Sequence, residues 1–298
     1  MGTAENPFHG TIHGNNHTIK GLTNGSLTST KDAFMTQTTK SYGSAYGLIG
    51  LAGAPTAGKT LVVKDLKFEE VNIKLADFGN CIGALLGYAM DDAHFAEFQG
   101  NTNKILDKVE VTNVKVLSGV VSGNNNVGGL IGKSYATETE MQNCSNAADV
   151  TAKYNSNASR AAGIIAFTTS PTLTIKGCSN SGTISAGYYL SGIVSLNWKL
   201  ALNFEITSNS NSGQLVSTSS DKVNKVHANY IVNCSSGSWE QAVAGARYNL
   251  GSGETLNTNT GAALSMPNAS GYEAYTPVLA QLSASSSTEA NGTSATHQ

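Results

Sequence analysis

The chain is poor in charge and poorest in arginine. Acidic and basic side chains make up 13% of its 298 residues, with 18 Lys plus Arg against 20 Asp plus Glu, and Arg stands only at Arg160 and Arg247. An average soluble domain carries roughly a quarter charged residues. A protein that tracks phosphates needs a basic stripe, so nucleic acid is excluded as a partner. Long apolar runs are also missing. The longest, such as Cys81–Met90, fall well short of the ~18 residues that cross a bilayer, so no membrane span is expected. The opening Met-Gly-Thr-Ala-Glu-Asn has neither the cationic nor the apolar region of an export signal, and Asn6 breaks the myristoylation pattern. Helical periodicity is scarce as well, which excludes an α-solenoid. Only Asp91–Lys108, with Phe95, Phe98, Ile105 and Leu106, is predicted to hold a short helix, as an insertion.

In place of charge there are 32 Gly and an abundance of Asn, Ser and Thr. These residues suit tight corners, because Gly and Asn tolerate left-handed backbone. A small-apolar-apolar-small core recurs as Gly47-Leu48-Ile49-Gly50, Ala84-Leu85-Leu86-Gly87, Gly129-Leu130-Ile131-Gly132, Gly163-Ile164-Ile165-Ala166 and Gly192-Ile193-Val194-Ser195, at intervals of 37, 45, 34 and 29 residues. Such intervals are solenoid periods. After each core comes a period-2 strand: Leu66, Phe68, Val71 and Ile73 in one repeat are matched at the same offsets by Val109, Val111, Val114 and Val116 in the next. Later repeats shorten this element to Asn143-Cys144-Ser145-Asn146, Gly177-Cys178-Ser179-Asn180 and Asn209-Ser210-Asn211-Ser212, and Ile231-Val232-Asn233-Cys234 reads as a degenerate last copy. The pattern predicts an all-β chain whose equivalent strands stack in parallel ~4.8 Å apart, with amide ladders at the corners. Within each Leu-Ile core pair, alternation predicts one buried member and one less so.

The segment from Asn6 to Leu22, with Phe8-His9-Gly10-Thr11-Ile12 at its head, together with the Gly-Leu-Ile-Gly cores and the Asn-Cys-Ser-Asn turns, resembles the GLUG-motif repeats. Those are found in secreted or surface proteins of gut Bacteroidetes, in bacterial adhesins and in immunoglobulin-A peptidases. The resemblance covers roughly residues 3–234 and implies a right-handed parallel β-helix. It carries no catalytic residues across. Family members usually have further strands before the Phe-x-Gly-Thr-Ile segment, so the chain is read as a β-helix truncated at its N-terminus, over 1–234. Residues 235–282 are expected to form an atypical, irregular cap or return segment, and 283–298 a flexible tail. The exposed end of the first coil, with Phe8, Ile12 and Ile19, predicts either end-to-end self-association or an improvised cap.

Several motifs imitate chemistry. Gly53-Ala54-Pro55-Thr56-Ala57-Gly58-Lys59-Thr60 fits the Walker A pattern, but Leu61–Phe68 reads as a strand where a phosphate loop needs a helix. The expectation is a corner between strands. Asp77-Phe78-Gly79 resembles a kinase magnesium segment without its catalytic loop. His9, His13 and His17 have a ligand-like spacing, with solvated or stacked histidines as the alternative to zinc. His-Glu-x-x-His is missing, so the zinc peptidase activity of some GLUG-bearing proteins is not carried over. Cys144, Cys178 and Cys234 share a repeat offset. Buried free thiols are expected for the cysteines, with a Cys144–Cys178 bond as the alternative.

The residues therefore point to a non-catalytic secreted or cell-surface module with no cofactor and no metal, binding glycans or host and microbial surface proteins. The aromatics beside the core strands, Tyr42, Tyr46, Tyr188, Tyr189 and Trp198, are its candidate ligand contacts. A β-helix polysaccharide lyase or glycoside hydrolase is the alternative. That reading needs convergent carboxylates, and the eight Asp look scattered.

Overall fold

In the computed structural model, residues 1–3, 6–24, 45–75, 80–90, 105–153, 159–197, 203–218, 226–229, 231–234, 248–250, 255–256 and 264–266 are described. All their regular elements are strands, and no described helix is long and apolar enough to cross a membrane. One turn shows the plan: Asn126–Gly128, Ile131–Ser134, Glu138–Gln142 continuing into Ser145–Asn146, then Asp149–Ala152. Each strand pairs in parallel with its counterpart in the turn before and the turn after. Four sheets result, taken here in chain order as sheets 1 to 4. The fold is a parallel β-helix.

The core fills the interior. Val127, Leu130, Ile131, Met141, Val150 and their equivalents are buried in one continuous cluster. Leu130 and Ile131 are both fully buried, as are Ile164 with Ile165 and Ile193 with Val194, so the expected alternation within the pair fails. A bend at Gly129 and Leu130 separates the members. The chain turns a corner between them and both side chains point inward.

A second corner divides sheet 3. Asp65, Asn113, Asn143 and Ser208 stack there with φ of 55°, 53°, 52° and 56°, together with Gly177 at 62°. This corner also corrects the expected alignment: Leu66 and Phe68 stack on Val114 and Val116, whereas Leu61 and Val63 stack on Val109 and Val111. Inward residues within one turn come as Leu61, Val63, Leu66, Phe68, Val71 and Ile73. A five-residue slip maps this pattern onto itself, so the hydrophobic spacing alone could not set the register. Ile231-Val232-Asn233-Cys234 is corrected likewise. Val232–Cys234 stacks on Val194–Asn197 in sheet 2, as a copy of the Leu-Ile core and not of the Asn-Cys turn.

Before the first full turn, Gly10–His13 and Thr18–Lys20 pair onto Thr60–Glu69, and Phe8, Ile12, Ile19 and Leu22 lie half-buried on the core. At the other end the last strand of three sheets runs antiparallel: Tyr248–Leu250 on Val226–Asn229, Thr255–Leu256 on Leu215–Ser217, and Leu264–Met266 near Ile206 and Asn209. The expected helix is not seen in its described part, since Lys108 opens a strand. Residues 91–104, Asp77-Phe78-Gly79 and 283–298 lie outside the described residues.

Candidate functional site

Sheets 1 and 2 each have a face turned away from the core. In sheet 1, Ile82, Val127, Ala161 and Leu190 point inward, so alternation turns their neighbours outward as a row, Ala45, Cys81, Asn126, Arg160 and Tyr189, one from each turn. In sheet 2 the matching row is Leu51, Tyr88, Lys133 and Phe167. Ala45, Leu51, Cys81, Tyr88 and Met90 form a second buried cluster, with Tyr135 packed against it.

Two cations enter this aromatic surface. Lys133, 5% exposed, places its Nζ 4.7 Å from the Tyr135 ring centre, 4.8 Å from Phe167 and 5.2 Å from Tyr88. The Arg160 guanidinium lies 5.1 Å from the Phe167 ring and donates to Asn126 Oδ1 at 3.1 Å. The negative faces of the rings stabilise cations that have given up water. Desolvation nevertheless lowers the Arg160 pKa, against the pull of Tyr189, Tyr135 and Cys81. Burial likewise pushes the Cys81 thiol up to about 11. Tyr188 and Tyr189 meet edge to face with centroids 4.6 Å apart, both half-buried on the same side as Arg160.

Of the aromatics expected to touch a ligand, Tyr188 and Tyr189 are thus brought to one surface with Arg160. Tyr46 is elsewhere: it packs on the core and its hydroxyl donates to the Thr23 carbonyl at 2.6 Å. Tyr42 and Trp198 lie outside the described residues. Sequence reasoning missed Lys133, Arg160, Tyr88, Tyr135 and Phe167 as a group. Their signal is positional: Lys133, Arg160, Tyr88 and Phe167 occupy outward slots of core strands, where a solvated polar residue is the norm, and Tyr135 directly follows the strand Ile131–Ser134.

A second arrangement was also missed. On the outer face of sheet 3, Lys108 gathers Glu138 at 3.0 Å, Glu110 at 3.7 Å and Glu140 in close contact, while Lys64 holds Glu110 at 2.7 Å. Desolvation pulls the Lys108 pKa down, but its bonds to Glu140 and Glu138 more than offset this and hold it above the usual lysine value. The Lys64 hydrogen bond, with the Lys108 charge, holds Glu110 below the ordinary carboxyl range against desolvation. Glu138 and Glu140 share one strand, and the register sets them directly on Lys108 and Glu110 of the turn before. The glutamates' ion-pair and hydrogen-bond partners among the described residues are lysines and Gln142, and among the described residues no His, Cys, Asp and Glu group is arranged to hold a metal. His9, His13 and His17 are all exposed.

The Walker-like segment is a loop from sheet 2 to sheet 3. Residues 55–60 are exposed, Gly58 N donates to Asp107 Oδ1 at 3.2 Å, and Thr60 opens a strand. No helix N-terminus is there to bind phosphate.

The turn that carries Lys133 also carries the recognisable repeat. A model of the GLUG motif matches residues 123–151. That span is one complete turn of the helix, since Gly123 stacks directly on Ala152. The GLUG segment thus contains the Gly-Leu-Ile-Gly corner, the Lys133 slot, the left-handed Asn143 corner and Cys144. No curated protein and no solved structure matches the chain.

Proposed function

We propose that the chain is a non-catalytic binding module of a secreted or cell-surface protein, adhesin-like in use, which meets glycans or protein surfaces of a host or microbe through the half-buried patch of Tyr135, Arg160, Tyr188 and Tyr189 on the outer side of sheets 1 and 2. The observation that supports this most is the surface holding Arg160 beside Tyr135, Tyr188 and Tyr189. Half-buried rings present a flat face to a sugar or an apolar side chain, and a guanidinium beside them supplies fixed donors. Connections at the edges of this face vary in length from turn to turn, while the Gly-Leu-Ile-Gly corner between the two sheets stays tight. Variable loops on a rigid scaffold are the common setting of binding residues.

The test is a screen of immobilised glycans and surface proteins with the purified chain, repeated with Tyr189→Ala. The reading expects hits that weaken at least tenfold in the variant while its circular dichroism is unchanged. Hits indifferent to Tyr189→Ala and Arg160→Ala would remove this face from the proposal. The second reading, a β-helix lyase or hydrolase, draws on Glu138 and Glu140 beside Lys108. A depolymerisation assay decides between the two: new reducing or unsaturated ends, lost in Glu140→Gln, would make the chain an enzyme.

A further inference from the structure

Cys144 and Cys178 occupy one inward column in neighbouring turns. Their following residues pair directly, Ser145 on Ser179, so the two cysteines are in-register neighbours of adjacent parallel turns. Cα atoms so placed are ~4.8 Å apart, inside the span a disulfide bridges. Both side chains are buried, Cys144 at 1% and Cys178 at 0%. Each thiol approaches a carbonyl of the turn before, Cys144 Sγ at 3.5 Å from Val111 O and Cys178 Sγ at 3.7 Å from Met141 O. Both thiols are free in the structure.

Each cysteine follows a left-handed corner residue, Asn143 at φ 52° or Gly177 at φ 62°, and lies between two strand segments. The turns stay bonded there: Ser179 N donates to Cys144 O at 2.9 Å, Ser210 N to Cys178 O at 3.0 Å, and Cys178 N to Asn209 Oδ1 at 2.8 Å. Disulfide formation asks the Cβ atoms to close from strand spacing to ~3.5–4.5 Å. With the corner backbone bonded in this way, the shift comes from rotation of the two cysteine side chains and from opening of the turns. The other cysteines do not compete: the backbone of Cys81 pairs in sheet 1 with Ala45 and Asn126, and that of Cys234 in sheet 2 with Asn197.

We infer that Cys144 and Cys178 are an oxidation site, closing in an oxidising medium to a disulfide that staples the GLUG turn to the turn after it. With glutathione disulfide as oxidant, the Cys144 thiolate attacks one sulfur and expels a glutathione thiolate. The Cys178 thiolate then attacks the Cys144 sulfur of the mixed disulfide, forms the new S–S bond and expels the second glutathione thiolate. The chain loses two electrons and two protons, and one glutathione disulfide becomes two glutathione thiols. The neighbouring Cys144 thiol, and then burial, hold the Cys178 thiol well above its ordinary pKa in the folded state. Exchange therefore proceeds as the turns open or first stack, before the pair is sealed. This inference is independent of the binding face, and either can fail without the other.

The test starts from the full chain, folded and reduced, equilibrated with a glutathione redox buffer in sub-denaturing urea, then unfolded, alkylated and digested for mass spectrometry. The expected result is two unalkylated cysteines joined as a Cys144–Cys178 peptide, a thermal midpoint raised by roughly 5 °C or more, and reversal of both by dithiothreitol. Cys144→Val, which keeps an apolar group in the column, should leave every remaining cysteine alkylated and the midpoint the same in both buffers. Four alkylated cysteines after oxidation, or a link through Cys81 or Cys234, would overturn the inference.

Discussion

The side-chain amide of Asn146 lies where a Cβ on Gly129 would fall, 2.5 Å from its Cγ. The next turn repeats the relation: a Cβ on Gly163 would stand 2.5 Å from the Asn180 side chain. From there the amides run as a ladder, Asn146 Nδ2 donating to Asn180 Oδ1 and Asn180 Nδ2 to Asn211 Oδ1, each at 2.8 Å, with second bonds to the carbonyls of Ala148, Gly182 and Gly213. The preceding turn has neither half of the pair. Val116 sits at the Asn146 position and Ala84 at that of Gly129. The first glycine of the core and the second asparagine of the turn are thus one packing unit.

Gly129→Ala should be among the most damaging small substitutions in the chain. Its Cβ would also meet the Gly163 carbonyl oxygen at 2.1 Å, and that backbone is fixed by the stack. The expected cost is above ~3 kcal/mol, read from urea denaturation. Asn180→Ala removes the middle of the ladder, taking one bond each from Asn146 Nδ2, Asn211 Oδ1 and the Gly182 carbonyl, and should cost ~1–3 kcal/mol in the same measurement.

Truncating either Leu130 or Ile131 to Ala should cost ~2–5 kcal/mol, because turns above and below cannot collapse into the cavity. Comparable shifts of both unfolding midpoints are expected. A shift for one residue alone would restore simple strand alternation at the corner.

Acid should weaken sheet 3 through Glu110. Its pKa is depressed in the folded chain, so its contribution is present above the ordinary value of 4.5 and disappears as pH falls through the lower folded value. Lys108, raised in the folded chain by its bonds to Glu140 and Glu138, contributes below its ordinary 10.5 while those partners carry charge, and loses that contribution in stronger base. Denaturation at pH 7 and pH 3 should therefore show a smaller acid loss in Glu110→Gln than in the parent.

Lys59→Ala should leave stability unchanged within ~0.5 kcal/mol, as expected of an exposed loop position. Calorimetry should detect no ATP binding by the parent chain. Millimolar or tighter affinity, lost in the variant, would return the loop to the phosphate-binding class.

The solenoid was legible because the Gly-Leu-Ile-Gly corner is a local signal: small residues where backbones approach, and apolar ones where the chain turns inward. Register was less legible, since inward pairs repeat every five residues on both sides of the Asp65 corner. Cys234 misled for a related reason, as Ile-Val-Asn-Cys satisfies the core and the turn pattern equally. The candidate surface was only partly legible. Tyr188 and Tyr189 stood out as aromatics, whereas Lys133 and Arg160 reach the same surface only once the turns are stacked. The glutamates around Lys108 were invisible for the same reason.

Stacking in register is the central claim, and one distance tests it. Lys67, Lys115, Ser145, Ser179 and Ser210 follow one another up a single column of sheet 3. Nitroxides at Lys67→Cys and Ser210→Cys, in a chain carrying Cys234→Ser, should lie about 19 Å apart by pulsed electron resonance, four steps of ~4.8 Å, allowing a few ångströms for the label arms. A narrow distribution there is the predicted result. A distance beyond about 30 Å, or a broad distribution without a short component, would contradict the parallel β-helix.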